Sequence, residues 1–170
     1  MDKDNLSSMR KRVLGNRYIQ VGEASRNYKT FCLYRMCNSV KYKMTEFFMP
    51  MIPPTTTAQQ HKISNGQFYD PPKVKAAKAK LLDNLALHVP AIMYTGSVRL
   101  TVKWLFPITA RHKNGEYKYT RPDTDNLQKL LKDCMTKCGF WKDDALVASE
   151  IIEKFWADHP GIYIKIEELI

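Results

Sequence analysis

No apolar run in this 170-residue chain approaches the ~20 residues of a membrane span. Its start, MDKDNLSSMRKRVLGNRY, has no apolar core of the kind a secretory signal carries. A spanning helix is therefore not expected, and the cytoplasm is the expected compartment. Cysteine is scarce. Cys32, Cys37, Cys134 and Cys138 are spaced C-x4-C and C-x3-C, unlike common zinc modules, and His61, His88, His112 and His159 are not close to either pair in sequence. They read as free thiols of a reducing compartment. Also missing are G-x-x-x-x-G-K-[ST], G-x-G-x-x-G and H-E-x-x-H, so nucleotide hydrolysis, dinucleotide binding and zincin chemistry lack support. Acidic residues are in deficit, 17 against 27 Lys and Arg, and the resulting charge of +10 favours a polyanionic partner.

With 44% hydrophobic and 26% charged residues, the composition is that of a globular protein long enough to bury one core. The charge is unevenly placed. Residues 1–43 carry ten Lys and Arg against three acids, net +7, which leaves +3 for residues 44–170. Residues 1–43 show neither sustained alternation nor an apolar helical stripe. They read as a loosely ordered basic extension, with a nucleic-acid-binding arm as the alternative; a third reading makes Met44 the natural start.

From residue 45 the pattern sharpens. Prolines 50, 53 and 54 make FFMPMIPP extended, and KISNGQFYD reads as a short hairpin around Asn65-Gly66. Pro71 and Pro72 open a helix whose apolar positions Val74, Ala77, Leu81, Leu82, Leu85 and Val89 keep a 3.6 period, and Pro90 ends it. SVRLTVKWLFP alternates strictly, predicting a strand over 97–107. A second helix is predicted over 124–138 with Gly139 as its stop. LVASEIIEKFW and GIYIKIEEL read as two further strands. The order points to an α+β or mixed α/β fold, a single layer of helices on a small mixed sheet.

The chemistry concentrates in RPDTDNLQKLLKDCMTKCGFWKDDALV, residues 121–147. At 100° per residue, Leu127, Leu130, Leu131, Cys134, Met135 and Cys138 share one side of the helix. Asp125, Lys129, Lys132 and Thr136 gather within about 60° on another. Asp123 lies in the entry turn, and Asp143 and Asp144 follow the helix. Two readings of these carboxylates stand side by side. In one they cap the helix and favour its positive end, with Asp125 and Lys129 an ordinary i, i+4 pair. In the other, two or three of Asp123, Asp125 and Asp144 hold Mg²⁺, a hard cation that keeps several waters and is completed by a substrate phosphate. Such a site suits phosphodiester hydrolysis, with Lys129 placing a permanent positive charge beside the phosphate.

R-P-D-T-D-N-L-x-K-x-x-x-D followed by G-F-W-K-D-D resembles the RusA family of Holliday junction resolvases, endonucleases found mostly in bacteriophages, prophages and their hosts. The resemblance runs from about Met44 to Ile170. It implies a RusA-like homodimer that uses Mg²⁺, with Mn²⁺ substituting, to make paired symmetric nicks in four-way DNA junctions during recombination and repair, in a bacterial host cytoplasm. By motif position it implies metal ligation by Asp123, Asp125 and Asp144, with Asp143 a weaker assignment, and catalysis by Asp123, Asp125, Asp144 and Lys129. Many relatives carry a basic K-x-R-P-R stretch where this chain has TTTAQQHKI. DNA grip there would fall to Gln59, Gln60, His61 and Lys62, helped by Lys132 and by the cluster Lys73, Lys75, Lys78 and Lys80. The rival readings are a broader branched-DNA nuclease and a junction-binding protein without catalysis. Trp141 is read as a base-stacking or a core-sealing residue, and Trp104 and Trp156 as packing.

Overall fold

The computed structural model describes residues 19–20, 31–37, 40–56, 62–64, 67–69 and 71–169. Eight strands and two α-helices are present among them: β1 (Ile19–Gln20), β2 (Phe31–Cys37), β3 (Val40–Pro50), β4 (Lys62–Ser64), β5 (Gln67–Tyr69), α1 (Pro72–Leu85), β6 (Val98–Pro107), α2 (Thr124–Cys138), β7 (Val147–Ala157) and β8 (Gly161–Glu168). Short 3-10 turns follow α1 at Ala86–His88 and precede β7 at Asp144–Leu146. The hairpin expected around residues 65 and 66 is the separate antiparallel pair β4 and β5. The expected α+β architecture is what the chain adopts.

The main sheet has the order β1-β2-β3-β8-β6-β7. Every pairing is antiparallel except β6 with β7, which run parallel from Val98 opposite Val147 to Pro107 opposite Ala157. A parallel pair needs a long crossover, and the chain between β6 and β7 supplies it as α2. After β7, residues 158–160 carry the chain past the end of β6, so β8 inserts between β3 and β6.

One face of this sheet carries the core. Val98, Leu100, Val102, Trp104 and Phe106 of β6, Ile162, Ile164 and Ile166 of β8 and Phe47 and Met49 of β3 are buried against Leu81 and Leu85 of α1 and Leu127, Leu130, Leu131 and Met135 of α2. Both helices thus form one layer. The period-2 apolar set of β6, meeting two 3.6-period stripes, is what places them there.

The chain before residue 44 differs from the expectation where it is described. β3 begins at Val40 and pairs with β2 through Cys37 opposite Val40, so the sheet runs across residue 43. The alternation was hidden because polar residues occupy core-side positions at that end. Lys43 is buried with its ammonium 3.9 Å from the Tyr94 ring centre and donating to the Ile92 carbonyl, and Thr45 Oγ1 lies 2.8 Å from the Tyr94 hydroxyl. Residues 1–18 and 21–30 lie outside the described residues.

α1 and α2 run parallel. Each leads at its C-terminal end toward the start of one of the two parallel strands, α1 toward β6 and α2 toward β7, and Cys138 Sγ at the end of α2 contacts the Leu82 carbonyl near the end of α1 at 3.9 Å. The N-terminal ends of the two helices therefore share one end of the molecule.

Two expected outcomes follow. A Cβ at Gly161 would overlap the Phe48 ring and come within 2.7 Å of the Met49 carbonyl oxygen, so Gly161→Ala should cost about 2 kcal/mol or more by denaturant unfolding. Burial pushes the Cys134 thiol up to about 11. Its thiolate is then on the order of one part in a thousand at pH 8, so native protein should leave Cys134 unalkylated at that pH while unfolded protein reacts. The same shift contributes stability below about pH 9 that is lost as pH rises toward 11.

Candidate active site

α2 begins where a strap of chain delivers it. After β6, residues 112–122 run along the free edge of β7: Gly115 N donates to Trp156 O at 2.8 Å, Trp156 N to Glu116 O at 2.8 Å and Lys118 N to Lys154 O at 2.8 Å. The His112 ring stacks on Trp156 at 4.4 Å, and the Tyr117 hydroxyl donates to Glu153 at 3.1 Å. These contacts cover an edge that would otherwise stay unpaired. The strap ends in a cis Arg121–Pro122 peptide, and Asp123 follows as the first residue outside the helix.

Two lysines hold this turn. Lys154 of β7 donates to the Thr120 carbonyl at 3.0 Å and the Pro122 carbonyl at 2.7 Å. Lys118 is buried, donates to Thr120 Oγ1, and lies 4.2 Å above the Trp156 ring centre and 5.3 Å from that of Phe106. Burial, and then the neighbouring Lys154 charge, hold the Lys118 ammonium below the usual lysine range.

Above the turn the two carboxylates are uncommitted. Asp123 occupies the N-cap position with extended backbone, yet its side chain makes no capping hydrogen bond; only its carbonyl is used, by Leu127 N at 3.2 Å. Asp125 is exposed in the first turn, and Lys129 is exposed one turn later on the same flank. Among the described residues Asp125 and Lys129 form no ion pair with each other. The capping reading thus loses its side-chain bond at Asp123 and its i, i+4 pair. Asn126 is buried and makes no side-chain hydrogen bond among the described residues.

The other acids are placed elsewhere. Asp143 accepts from Ala145 N at 2.8 Å and so caps the 3-10 turn that Asp144 begins. That turn lies beyond the C-terminal end of α2, just before Val147. Lys154, the anchor of the opposite helix end, is seven residues further along β7, about 23 Å at strand rise. Asp123 and Asp125 are therefore brought together, and Asp144 stands at the other end of α2. Among the described residues, no three His, Cys, Asp or Glu side chains converge in a metal-holding group. The pair at the helix start is all hard oxygen, exposed and unengaged, which suits Mg²⁺ with its retained waters.

The basic residues divide. Lys73 and Lys75 are exposed at the start of α1, at the same molecular end as Asp123, but the helical period puts Lys73 with Lys80 on one flank and Lys75 with Lys78 and Leu82 on the flank toward α2. Lys132 is paired with Glu150 of β7 at 2.7 Å. Gln60 lies outside the described residues, as do Gln59, His61 and the side chain of Lys62. Trp141 is buried with its indole N–H donating to Thr136 Oγ1 at 2.8 Å, and Trp104 is fully buried, so both are packing residues. Lys154 and Lys118 were not singled out from sequence. The signal was present in β7: the register that puts Ile152 opposite Val102 and Trp156 opposite Phe106 puts Lys154 opposite Trp104, a cation on the core side.

A turn presenting paired, unengaged aspartates at a helix start, with a lysine one turn on, is a candidate site for phosphate chemistry. A model of the family described as Endodeoxyribonuclease RusA matches residues 50–167, and the chain belongs to that family. It is 30% identical to the protein named crossover junction endodeoxyribonuclease rusA of Lactococcus phage r1t over 130 residues, 73% of this chain and 96% of that one. It is also 29% identical to the uncharacterized protein YqaN of Bacillus subtilis (strain 168) over 120 residues, 63% of this chain and 84% of that protein.

The capping assignments give a direct test. Asp143→Ala should cost about 1 kcal/mol of unfolding free energy through its lost cap. Asp123→Ala should lie within about 0.5 kcal/mol of the parent. Equal losses at both positions would return Asp123 to a structural role.

Proposed function

We propose that this chain is a divalent-metal-dependent endodeoxyribonuclease that resolves four-way DNA junctions in the cytoplasm of a bacterial host, as a homodimer making paired symmetric nicks. The observation that carries the reading is the pair Asp123 and Asp125, exposed at the start of α2 without capping bond or ion pair. The RusA membership and the name of the phage relative, crossover junction endodeoxyribonuclease, support it.

Asp123 and Asp125 would hold Mg²⁺ or Mn²⁺; Asp144, a third ligand by motif position, and Asp143, whose carboxylate caps the 3-10 turn, stand at the other end of α2 within the same chain. When bound, the ion supplies Lewis acidity toward the attacking water and the leaving oxygen. Lys129, on the flank of Asp125, sets a fixed positive charge where negative charge accumulates on the phosphate. Lys73 and Lys75 attract neighbouring phosphates from across α2, roughly one helix diameter away, and Lys132 joins them where a phosphate replaces Glu150 as its partner. Without the cation, Asp123 and Asp125 would repel the DNA that these lysines attract. A two-fold dimer would offer two equivalent sites to two like strands of a pseudo-symmetric junction.

The test is cleavage of a labelled synthetic four-way junction beside linear duplex, flap and Y-fork DNA, in Mg²⁺ or EDTA. Paired, metal-dependent nicks confined to the junction are expected, and Asp125→Asn should lower cleavage at least about a hundredfold while junction binding is kept or tightened. Equal cutting of flaps and forks would replace this reading with a general branched-DNA nuclease. Binding without cutting by the parent protein would make it an architectural protein.

A further inference from the structure

We infer that Lys154 is a positioning residue for the metal-binding turn, acting through the backbone carbonyls that precede Asp123. The inference rests on the metal reading above and adds a residue that lies outside the family motif. Lys154 comes from β7, thirty-one residues beyond Asp123, and spends two of its three donors on the Thr120 and Pro122 carbonyls, 3.0 and 2.7 Å away.

The turn needs such an anchor for a plain reason. Pro122 has no N–H, and Asp123 declines the side-chain cap that would otherwise fix the helix entry. The strap's last backbone bond to β7 is at Lys118, and the next one downstream is Leu127 N to Asp123 O. Between them, residues 119–122 have no backbone partner; Pro122 is buried, so its carbonyl requires a donor, and the carbonyl of the exposed Thr120 beside it takes another. One rigid strand supplies both through a single ammonium. Lys118 reinforces the arrangement from below by gripping the Thr120 hydroxyl while seated on the Trp156 ring. Freed from capping, the Asp123 carboxylate remains available to a ligand because Lys154 takes over the task of holding the turn.

The sign of the effect separates positioning from charge. Deleting a positive charge near a cation site should, by relief of Coulomb repulsion alone, tighten the cation. Loss of positioning should weaken it. The probe is Mn²⁺ alone, titrated into the full chain without DNA and followed by loss of the free-ion electron paramagnetic resonance signal. Lys154→Met should weaken Mn²⁺ binding about tenfold, the range seen when groups orienting metal ligands are removed, and Lys154→Arg should recover it to within about threefold of the parent. If the methionine variant does not fold, Lys154→Gln, which keeps a donor amide, should show about threefold weakening. Unchanged or tightened Mn²⁺ binding in a folded variant would overturn the positioning role while leaving the nuclease reading standing. Failure of the parent chain to bind Mn²⁺ would instead overturn the metal reading, and this inference with it.

Discussion

The central strand β6 is the constraint on which the rest depends. It is held on one side by parallel β7 and on the other by antiparallel β8, and its alternate residues from Val98 to Phe106 are buried beneath both helices. Because β6 and β7 are parallel, the chain must return the length of the sheet between them. α2 makes that return, and its first turn is consequently placed near the C-terminal ends of two adjacent parallel strands. The turn that leads into Asp123 and Asp125 is thus a product of topology, placed as are the strand ends of open α/β sheets, where ligands gather.

Topology alone would leave that turn loose. The strap over the edge of β7 converts it into a defined entry, because each backbone bond from Gly115, Glu116 and Lys118 fixes the chain to the same strand that carries Lys154. Charge then separates into layers. Two ammonium groups lie under the turn, engaged by carbonyls, a hydroxyl and aromatic rings. Two carboxylates lie above it, exposed. The lower charges are satisfied locally, which leaves the upper ones as the groups able to take an external ligand.

Much of this was legible in sequence, for reasons that can be traced. α2 spans Thr124–Cys138 because the Leu and Met stripe and Gly139 act at short range; Gly139 closes the helix with φ 85, a conformation that costs glycine little. β6 was legible because one face is buried and the other is not. β8's insertion between β3 and β6 was not legible, since each of the three strands has an apolar face that suits several neighbours. β2 and the start of β3 were obscured by Lys43 and Thr45, polar residues buried against Tyr94 from fifty positions away. The Asp123, Asp125 and Lys129 group was legible because its members are near in sequence. Lys154 was hidden because its partners are carbonyls, which leave no mark on side-chain patterns.

The separation of Asp144 from the helix-start pair follows from the same geometry. A residue just before β7 and a residue just before α2 must lie at opposite ends of a helix that runs back along the sheet. Fifteen residues of helix put about 22 Å between them. Within one chain, then, the motif's acids divide into a pair beside Lys154 and a member beyond the helix, although nineteen positions separate Asp125 from Asp144 in sequence. What the fold secures in one place is the pair, the lysine one turn later and the anchored turn beneath them. Two carboxylates suffice for a cation that retains much of its water and takes a substrate phosphate as a further ligand. On the proposed reading, the minimal site is therefore carried by α2's first two turns, above the turn that Lys154 holds through the Thr120 and Pro122 carbonyls.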